Sequence, residues 1–405
     1  MEKDEKSVEP TIEVVQAEKV EQKPTKKPEK VAKMGEKNEP KVTNLLPAIT
    51  FILALSAFGI SIYSYYSKGS VTTYNYGPDG NSLNFESGSI AEVANRVSES
   101  VVSITTEVRT KSWFGTESTG QAAGTGFIIS ESGYIMTNKH VVEDAKTVNV
   151  TLNNGKTYKN VTVVGTDPLN DSAILKVDNP EGFKPVVLGD SKTVNVGQEV
   201  IVIGNALGEY SNSVTSGIIS GTGRELIASD SNGSAYEKLS DMLQTDAAIN
   251  GGNSGGPIVN AAGEVIGIAT AYASSSQTVG FAIPIANVKG IAKNVLETGR
   301  FERAVLGVQY TPLTPDIAEQ NNLKYNYGAY LNADSGSAIL SGSAGAEAGL
   351  KDGDIIIEVN GVKIGKAGSL STLVGEYKVG DTINLKVARG GSEIDLKATL
   401  KAYSK

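Results

Sequence analysis

The sequence has 405 residues, 40% of them hydrophobic, which is enough for two or three domains with real cores. A net charge of −8 argues against a nucleic-acid-binding protein, which would normally carry a basic patch or stripe. The absence of cysteine excludes disulfides and thiolate metal sites, and a single histidine argues against a zinc site. We therefore expect no metal and no cofactor.

The first 66 residues predict a tail and a membrane anchor. Residues 1–44 are rich in Lys, Glu and Pro and nearly devoid of large apolar side chains, so a disordered cytoplasmic tail is predicted. The uncharged stretch 45–66 is long enough to span a bilayer as a helix. Six lysines between positions 26 and 41 precede it, against Lys68 just after it, so the remainder is expected outside the cytoplasm, at the cell membrane. The alternative is a signal peptide cleaved after Ala57, although leader and span are longer than usual.

A polar linker at 67–88 leads to a predicted β-rich domain at 89–300. Its short runs rich in Val, Ile and Thr, separated by turn signals, are typical of β-barrels. Two polar, Ser/Gly-rich segments, 113–120 and 229–241, interrupt the pattern and are expected to be mobile loops. The predicted helices are 90–97 and 285–298, and the predicted strands are 101–108, 126–129, 134–136, 148–152, 161–164 and 173–177, then 200–203, 214–220, 242–245, 256–259, 265–270 and 279–283.

The stretch 251–257, Gly-Gly-Asn-Ser-Gly-Gly-Pro, predicts a nucleophile loop around Ser254. Glycines allow the positive φ angles at which backbone N–H groups converge on an oxyanion, and they leave room for a substrate. The alternative is an ordinary turn between two strands. A serine nucleophile needs one base and one residue that orients the base, and the chain offers His140, its only histidine, and Asp171. A lone histidine can also be purely structural.

Three separated motifs carry a family resemblance. Thr-Asn-Lys-His140-Val, Asp171-Ser-Ala-Ile-Leu-Lys-Val and Asn-Gly-Gly-Asn-Ser254-Gly-Gly resemble the HtrA (Deg) branch of the chymotrypsin-like serine proteases. Over residues 89–405 the resemblance implies a mainly β fold of two six-stranded antiparallel barrels, with the triad divided across their seam. It implies His140 as general base, Asp171 as its orienting acid and Ser254 as nucleophile, and it implies a homotrimer built by the protease domains.

The resemblance also assigns the oxyanion loop. The backbone N–H groups of Gly252 and Ser254, with Asn253 between them, are implied to bind the oxyanion. Digestive members of the clan have an aspartate where this chain has Asn253, and that aspartate takes part in activation by a new N-terminus. Such activation is therefore not expected here.

The primary specificity pocket is expected to carry no charge. We expect it to be lined by Ala248, Ile249, Ile268, Ala269 and Thr270. Small and medium apolar side chains before the scissile bond should therefore be preferred.

The last part of the chain, 301–405, predicts a second domain. Its opening Val-Leu306-Gly307-Val308 and the later Ala-Gly-Leu-Lys-Asp-Gly-Asp-Ile-Ile-Ile-Glu-Val-Asn-Gly resemble a PDZ domain of the bacterial protease type. The resemblance implies that Leu306, Gly307 and Val308 bind peptide C-termini through backbone N–H groups while the peptide adds a strand to a sheet edge. Leu350 and the apolar run 355–357 are interpreted as core.

The sequence therefore predicts a membrane-anchored, extracytoplasmic serine endopeptidase. Its expected substrates are unfolded or misfolded polypeptides, degraded or processed in envelope protein quality control and the stress response. One alternative is a non-catalytic chaperone or PDZ scaffold that retains the protease fold. Another is a lysine base, Lys139, which we disfavour because neighbouring side chains of an extended segment point to opposite faces.

Overall fold

The computed structural model describes residues 73–76, 82–85, 88–111, 117–167, 169–206, 210–229, 236–272 and 279–403. The predicted cytoplasmic tail and membrane span lie outside these residues. Over the described ranges, no helix is both long enough and apolar enough to cross a membrane. Within the predicted linker, β1 (Thr73–Tyr76) and β2 (Ser82–Phe85) pair as antiparallel strands.

The first lobe begins with α1 (Ile90–Ser98), which confirms the predicted helix. A capping box starts this helix: the Ser89 hydroxyl accepts from Glu92 N–H, and the Glu92 carboxylate accepts from Ser89 N–H. The strands of the lobe are β3 (Val101–Lys111), β4 (Glu117–Ile128), β5 (Tyr134–Thr137), β6 (Ala145–Leu152), β7 (Thr157–Tyr158), β8 (Thr162–Asp167) and β9 (Ser172–Lys176).

The prediction of a closed six-stranded barrel is wrong for this first lobe. Its seven strands form an open sheet in the order β7-β6-β3-β4-β5-β9-β8. The sheet stays open because its two end strands each pair with a single neighbour, β7 with β6 and β8 with β9. Among the described residues, β7 and β8 do not pair with each other. A backbone hydrogen bond from Val161 N–H to the Val148 carbonyl, at 2.8 Å, brings the chain before β8 close to β6.

The second lobe is a closed barrel of six strands, as predicted. The barrel strands are β11 (Glu199–Ala206), β12 (Tyr210–Ser229), β13 (Tyr236–Thr245), β14 (Pro257–Val259), β15 (Glu264–Tyr272) and β16 (Gly280–Pro284). They follow the short strand β10 (Val187–Leu188) and a 3₁₀ turn at Ser191–Thr193. The order β15-β14-β11-β12-β13-β16 closes when β16 pairs back onto β15, and β10 adds to β15 in parallel. Strands β12 and β13 continue into the segment 229–241, which was expected to be a loop.

One hydrophobic cluster joins both lobes to α3 (Ala286–Thr298), a helix that the sequence predicted. The helix ends at Gly299, whose φ of 72° is a conformation that favours glycine. Each large apolar side chain buried in such a cluster contributes on the order of 1.5–3 kcal/mol. The seam between the lobes is therefore part of the core. Buried members of the cluster include Phe127, Met136 and Ile174 of the first lobe, Ile203, Ile268 and Ile283 of the second, and Val288 and Val295 of α3.

The C-terminal domain has its own core and a main sheet of six strands. Its strands are β17 (Ala304–Val305), β18 (Thr311–Pro312), β19 (Ala329–Tyr330), β20 (Ile355–Val359), β21 (Val362–Lys363), β22 (Thr382–Arg389), β23 (Ser392–Thr399) and β24 (Lys401–Ala402). The helices are α4 (Pro315–Gln320), α5 (Ala344–Glu347) and α6 (Leu370–Gly375). Leu350 and the run Ile355, Ile356 and Ile357 are buried, as predicted.

This domain packs tightly against α3. A Cβ added at Gly290 of α3 would lie 2.0 Å from the carbonyl oxygen of Tyr377, so only glycine lets the two backbones approach this closely. Lys192, next to β10, forms an ion pair with Glu376 at the end of α6. Backbone contact and charge pairing together fix how the second domain meets the first.

The segment that joins the two domains belongs structurally to the first. Phe301 packs so closely on Gly165 of β8 that a Cβ there would lie 2.5 Å from the Phe301 Cβ. Arg303 is only 7% exposed and is paired with Asp167 at the end of β8. The expected domain boundary at 300–301 thus falls just before residues that pack on the first lobe.

Candidate active site

Ser254 lies in a turn between β13 and β14, at the seam between the lobes. Its carbonyl accepts a hydrogen bond from Thr125 N–H at 2.9 Å, and the Thr125 hydroxyl donates to the Gly252 carbonyl at 2.6 Å. Gly255 has a φ of 85°, and a Cβ there would lie 2.1 Å from the Thr125 carbonyl oxygen. Strand β4 of the first lobe therefore holds the serine loop of the second, and position 255 accepts only glycine.

The three predicted oxyanion residues form the inner part of this turn. Gly252 has a φ of 97°, and Asn253 N–H donates to the Asn250 carbonyl at 3.0 Å. Across the described ranges, neither Gly252 N–H nor Ser254 N–H donates a hydrogen bond to another group of the chain. The Asn253 side chain is 1% exposed, and its amide atoms have no hydrogen-bond partner among the described residues. It fills the interior beneath the turn.

His140 lies on α2 (Lys139–Val142), a single turn between β5 and β6. Its Nδ1 is 2.8 Å from Asp171 Oδ2, and its backbone N–H donates to Asp171 Oδ1 at 3.0 Å. A carboxylate only accepts hydrogen bonds, so Nδ1 carries the hydrogen and Nε2 is the ring atom with the lone pair. Since the His140 side chain is 44% exposed and that of Asp171 only 4%, the imidazole stands between a buried charge and the surface.

Lys139 lies on the same helical turn, so the expectation of an extended segment at this point is wrong. Neighbouring side chains on a helix still diverge by about 100°. The Lys139 amine is 3.6 Å from the Glu143 carboxylate. An ion pair on the helix thus engages the amine, which disfavours Lys139 as the base.

Asp171 is held from several sides. It has a φ of 43°, a conformation that residues other than glycine rarely adopt. Its carbonyl accepts from the Asn138 side chain at 2.8 Å and from Lys139 N–H at 3.2 Å. Burial pushes the carboxyl pKa upward, but the hydrogen bond and charge of His140, together with the hydrogen bond from Thr270, outweigh burial and leave the pKa below its usual value.

Thr270 has a position that the sequence did not indicate. It was expected in the specificity pocket, but its hydroxyl donates across the seam to Asp171 Oδ2 at 2.6 Å. Its carbonyl accepts from the Ser254 hydroxyl at 3.3 Å, and in the described part of the chain this is where that hydroxyl is bonded, rather than to His140. One residue of β15 thus touches both the acid and the serine. A threonine in a β-strand is so common that no motif marks this role.

The other expected pocket residues are not brought together on one open wall. Ile268 is wholly buried in the cluster that joins the lobes, while Ala269 and Ile249 are buried in a second cluster inside the barrel. Ala248 is partly exposed, and its carbonyl accepts from the Thr215 hydroxyl at 2.9 Å. Of the five residues, Ala248 is the one that is not buried.

Leu306, Gly307 and Val308 line a cavity of about 500 Å³ in the C-terminal domain. Gly307 has a φ of 73°, and Leu306 is buried with its carbonyl accepting from Gly345 N–H at 2.7 Å. Helix α6 forms the opposite wall. Residues of the first domain, including Asn170 and Arg303, line the same cavity. Among the described residues, no cluster of His, Asp or Glu side chains could hold a metal ion.

Comparison with known proteins agrees with this geometry. The trypsin-like peptidase domain family matches residues 124–268, and the PDZ domain family matches residues 304–400. The putative serine protease HhoB of Synechocystis sp. is 41% identical over 273 residues, which are 67% of this chain and 64% of that protein. The periplasmic serine endoprotease DegP of Escherichia coli K12 is 36% identical over 287 residues, 70% of this chain and 58% of that protein. The chain thus spans less than two thirds of the length of these two relatives.

Solved structures give the same result over the full length of the known chain. The structure of the HtrA-type protease AlgW with a decapeptide has a TM-score of 0.53 and 31% sequence identity, covering 78% of this chain and 100% of that one. The matches follow the same order of domains, with the protease part first and the PDZ domain last. On this evidence the chain belongs to the HtrA family of serine proteases.

Proposed function

We propose that this protein is a serine endopeptidase that cleaves unfolded or misfolded polypeptides outside the cytoplasm. The observation that carries the proposal is the set of contacts at the seam between the lobes. A histidine is bonded through Nδ1 to a buried carboxylate, and the same carboxylate is bonded to the residue that touches Ser254. This arrangement has the components that an activated serine nucleophile requires.

In the proposed reaction, Ser254 Oγ attacks the carbonyl carbon of the scissile bond while His140 Nε2 takes the hydroxyl proton. The oxyanion accepts hydrogen bonds from Gly252 N–H and Ser254 N–H, and His140 then gives its proton to the departing amine. Water attacks the acyl-enzyme in the same way, His140 takes its proton, and Ser254 leaves with that proton. Asp171 stays ionised throughout. The Ser254 hydroxyl must first turn from the Thr270 carbonyl toward the imidazole.

The proposed specificity is for small or medium apolar side chains before the scissile bond. Ala248 is uncharged and partly exposed close to the serine turn. The buried Ile249 and Ala269 lie behind it in the barrel core. A pocket with this lining offers no partner to a charged side chain, and leaving a buried charge unpaired is strongly unfavourable.

The proposed role of the PDZ domain is to bind peptide C-termini. Leu306, Gly307 and Val308 lie at one wall of the cavity, where a peptide strand could pair along the chain while its apolar last residue enters the cavity. The AlgW structure cited above was solved with a decapeptide. By analogy we assign peptide binding to this groove.

The proposed location is the outer face of the cell membrane, with residues 45–66 as a single-pass anchor and the N-terminus in the cytoplasm. The support is the uncharged length of this stretch and the excess of lysine before it. Related proteins such as DegP are named as periplasmic endoproteases. A homotrimer and a role in envelope quality control are proposed on family resemblance.

A fluorophosphonate probe tests the activity directly, because it reacts with an activated serine. The wild-type protein should be labelled, peptide mapping should place the label on Ser254, and unfolded β-casein should be digested. His140→Gln should lose both properties, whereas Lys139→Gln should keep both. A folded protein that is neither labelled nor active, yet still suppresses aggregation of unfolded proteins, would indicate the chaperone alternative.

An epitope tag at the N-terminus that resists protease added to intact cells would support the proposed topology.

A further inference from the structure

A buried ion pair lies next to the proposed catalytic aspartate but outside the triad. Arg303, the residue immediately before β17, is 7% exposed, and its partner Asp167 is 0% exposed. Arg303 Nη1 donates to Asp167 Oδ2 at 2.5 Å and to the Asn287 carbonyl of α3 at 3.2 Å. Buried charges are costly unless paired and hydrogen-bonded, so this pair is a strong local constraint.

The constraint acts on the loop that ends in Asp171. Asp167 Oδ1 accepts from Leu169 N–H at 3.0 Å, and Asp167 Oδ2 accepts from the Asn170 side chain at 3.1 Å. Asn170 in turn contacts the Asn287 side chain at 3.4 Å. The carboxylate paired with Arg303 therefore organises the residues that lead directly into Asp171.

Asp171 depends on this support because its backbone is in an unfavourable conformation. Its φ of 43° lies in the left-handed region, where a residue other than glycine is held in part by its contacts. Both carboxylate oxygens face His140, one toward the backbone N–H and one toward Nδ1, so a small rotation of residue 171 would break both contacts. Hydrogen bonds of this kind need correct distance and angle.

We propose that Arg303 is a positioning residue for catalysis, which sets the orientation of the Asp171 carboxylate through Asp167 and the loop between them. The inference rests on the proposed peptidase activity. Arg303 is far in sequence from the triad and touches none of its members, so no sequence motif connects it to the chemistry. Arg303 also lies at the start of the PDZ domain. The Arg303–Asp167 ion pair is therefore part of the junction between the two domains as well as of the support for Asp171.

The consequence for kinetics is specific. Arg303 lines the PDZ cavity but touches none of the triad residues at the proposed cleavage site, so with a short peptide its loss should lower kcat rather than raise KM. A poorly oriented Asp171 stabilises the protonated imidazole less, so the acid limb of the pH profile of kcat/KM should move to lower pH. His140 contacts the charged group of Asp171, and the Lys139–Glu143 ion pair lies beside it on its own helix.

The experiment uses the full-length protein and compares Arg303→Gln, Asp167→Asn, the double variant, Arg303→Lys and the matched control Arg300→Gln, whose side chain is exposed. Active sites are titrated with a fluorophosphonate, and kcat and KM for a short fluorogenic peptide are calculated per titrated site. The single variants should lose at least tenfold in kcat, with KM changed less than twofold and the acid limb shifted to lower pH. Arg303→Lys should recover part of kcat, and Arg300→Gln should match wild type.

The double variant separates positioning from folding. It carries no unpaired buried charge and should fold even if a single variant does not, yet its kcat should stay low. A double variant with wild-type kcat per active site and an unshifted acid limb would overturn the proposal, even if its melting temperature falls. If the wild-type protein itself binds no fluorophosphonate and cleaves no peptide, the failure lies in the proposed function instead.

Discussion

The two lobes of the protease domain contribute to the site by different physical means. The closed second lobe shapes the serine turn through backbone fit, with Gly255 pressed against the Thr125 carbonyl. The open first lobe places His140 and Asp171 through hydrogen bonds made largely by side chains, and one of these comes from Thr270 of the other lobe. We therefore expect the serine turn to be sensitive to substitutions that add bulk. The His–Asp pair should instead be sensitive to the loss of a hydrogen-bonding group.

The largest effect is expected for Ser254→Ala, which removes the nucleophile and leaves the backbone turn intact. Peptide cleavage should fall by about 10⁶-fold in kcat, because removing the nucleophile of a triad costs roughly this much. The side chain is only partly buried, so the melting temperature should stay within about 2 °C of wild type, as expected for a change of less than 0.5 kcal/mol. Stopped assays on a fluorogenic peptide and calorimetry measure the two quantities. Near wild-type cleavage would remove Ser254 as the nucleophile.

Asp171→Asn tests the first lobe with a change that keeps shape and removes charge. An amide at this place can present N–H to His140 Nδ1 and so favour the wrong imidazole tautomer, and a loss of about 10⁴-fold in kcat is expected. KM should change little, because Asp171 is buried away from substrate. Steady-state kinetics on the purified variant, with Asp178→Asn on an exposed turn as control, measure the loss. A loss below tenfold would mean that the imidazole is oriented by something else.

Substitutions at Thr270 test whether catalysis depends on the hydrogen bond that its hydroxyl donates to Asp171 across the seam. Thr270→Val removes the hydrogen bond to Asp171 at nearly constant volume and should lower kcat by roughly 10- to 100-fold, as a hydrogen bond to a charged group is worth about 1.5–3 kcal/mol. Thr270→Ser keeps the hydroxyl and should retain most of the activity. Both are measured as kcat per titrated active site. Equal activities for the two variants would show that the cross-lobe hydrogen bond is not used.

The sequence indicated the site residues that stand in motifs, but not those whose role depends on contacts between distant parts of the chain. Ser254, His140 and Asp171 stand in motifs, so the sequence alone could propose them as the triad. Thr270 was assigned to the pocket, since a strand threonine can face either side and its register was not visible in the sequence. Arg303 was missed altogether, because its partner lies 136 positions away.

Fold predictions succeeded and failed for comparable reasons. The helices at 90–97 and 285–298 carry clear spacing and end signals, and both are present. Closure of a barrel, by contrast, depends on whether the first and last strands pair, and the short runs that predicted the first lobe contain no information on that. The segment 229–241 lacks apolar alternation, so its continuation of β12 and β13 was not recognised.

The smallest effect concerns stability in acid, where activity and folding should separate. Protonated His140 cannot take the Ser254 proton, so kcat/KM should fall about tenfold per pH unit on the acid limb of its pH profile, and no other histidine contributes. Asp171 behaves differently, because its pKa in the folded protein lies below the usual value. A carboxyl with a lowered folded pKa stabilises the fold above its unfolded pKa of about 4, and this contribution is lost only as pH falls through the lower folded value.

Just above about pH 4 the enzyme should therefore be folded but nearly inactive, because His140 is protonated while Asp171 is still ionised. Urea unfolding of wild type and Asp171→Asn from about pH 6 to below pH 4 measures the difference, since the variant lacks the ionisable group and should lose less stability below about pH 4. Return to neutral pH should restore activity at once if no unfolding has occurred. Loss of activity and loss of structure at the same pH would mean that the imidazole and the carboxylate titrate as one unit, so that the first lobe unfolds when their charge pair is broken.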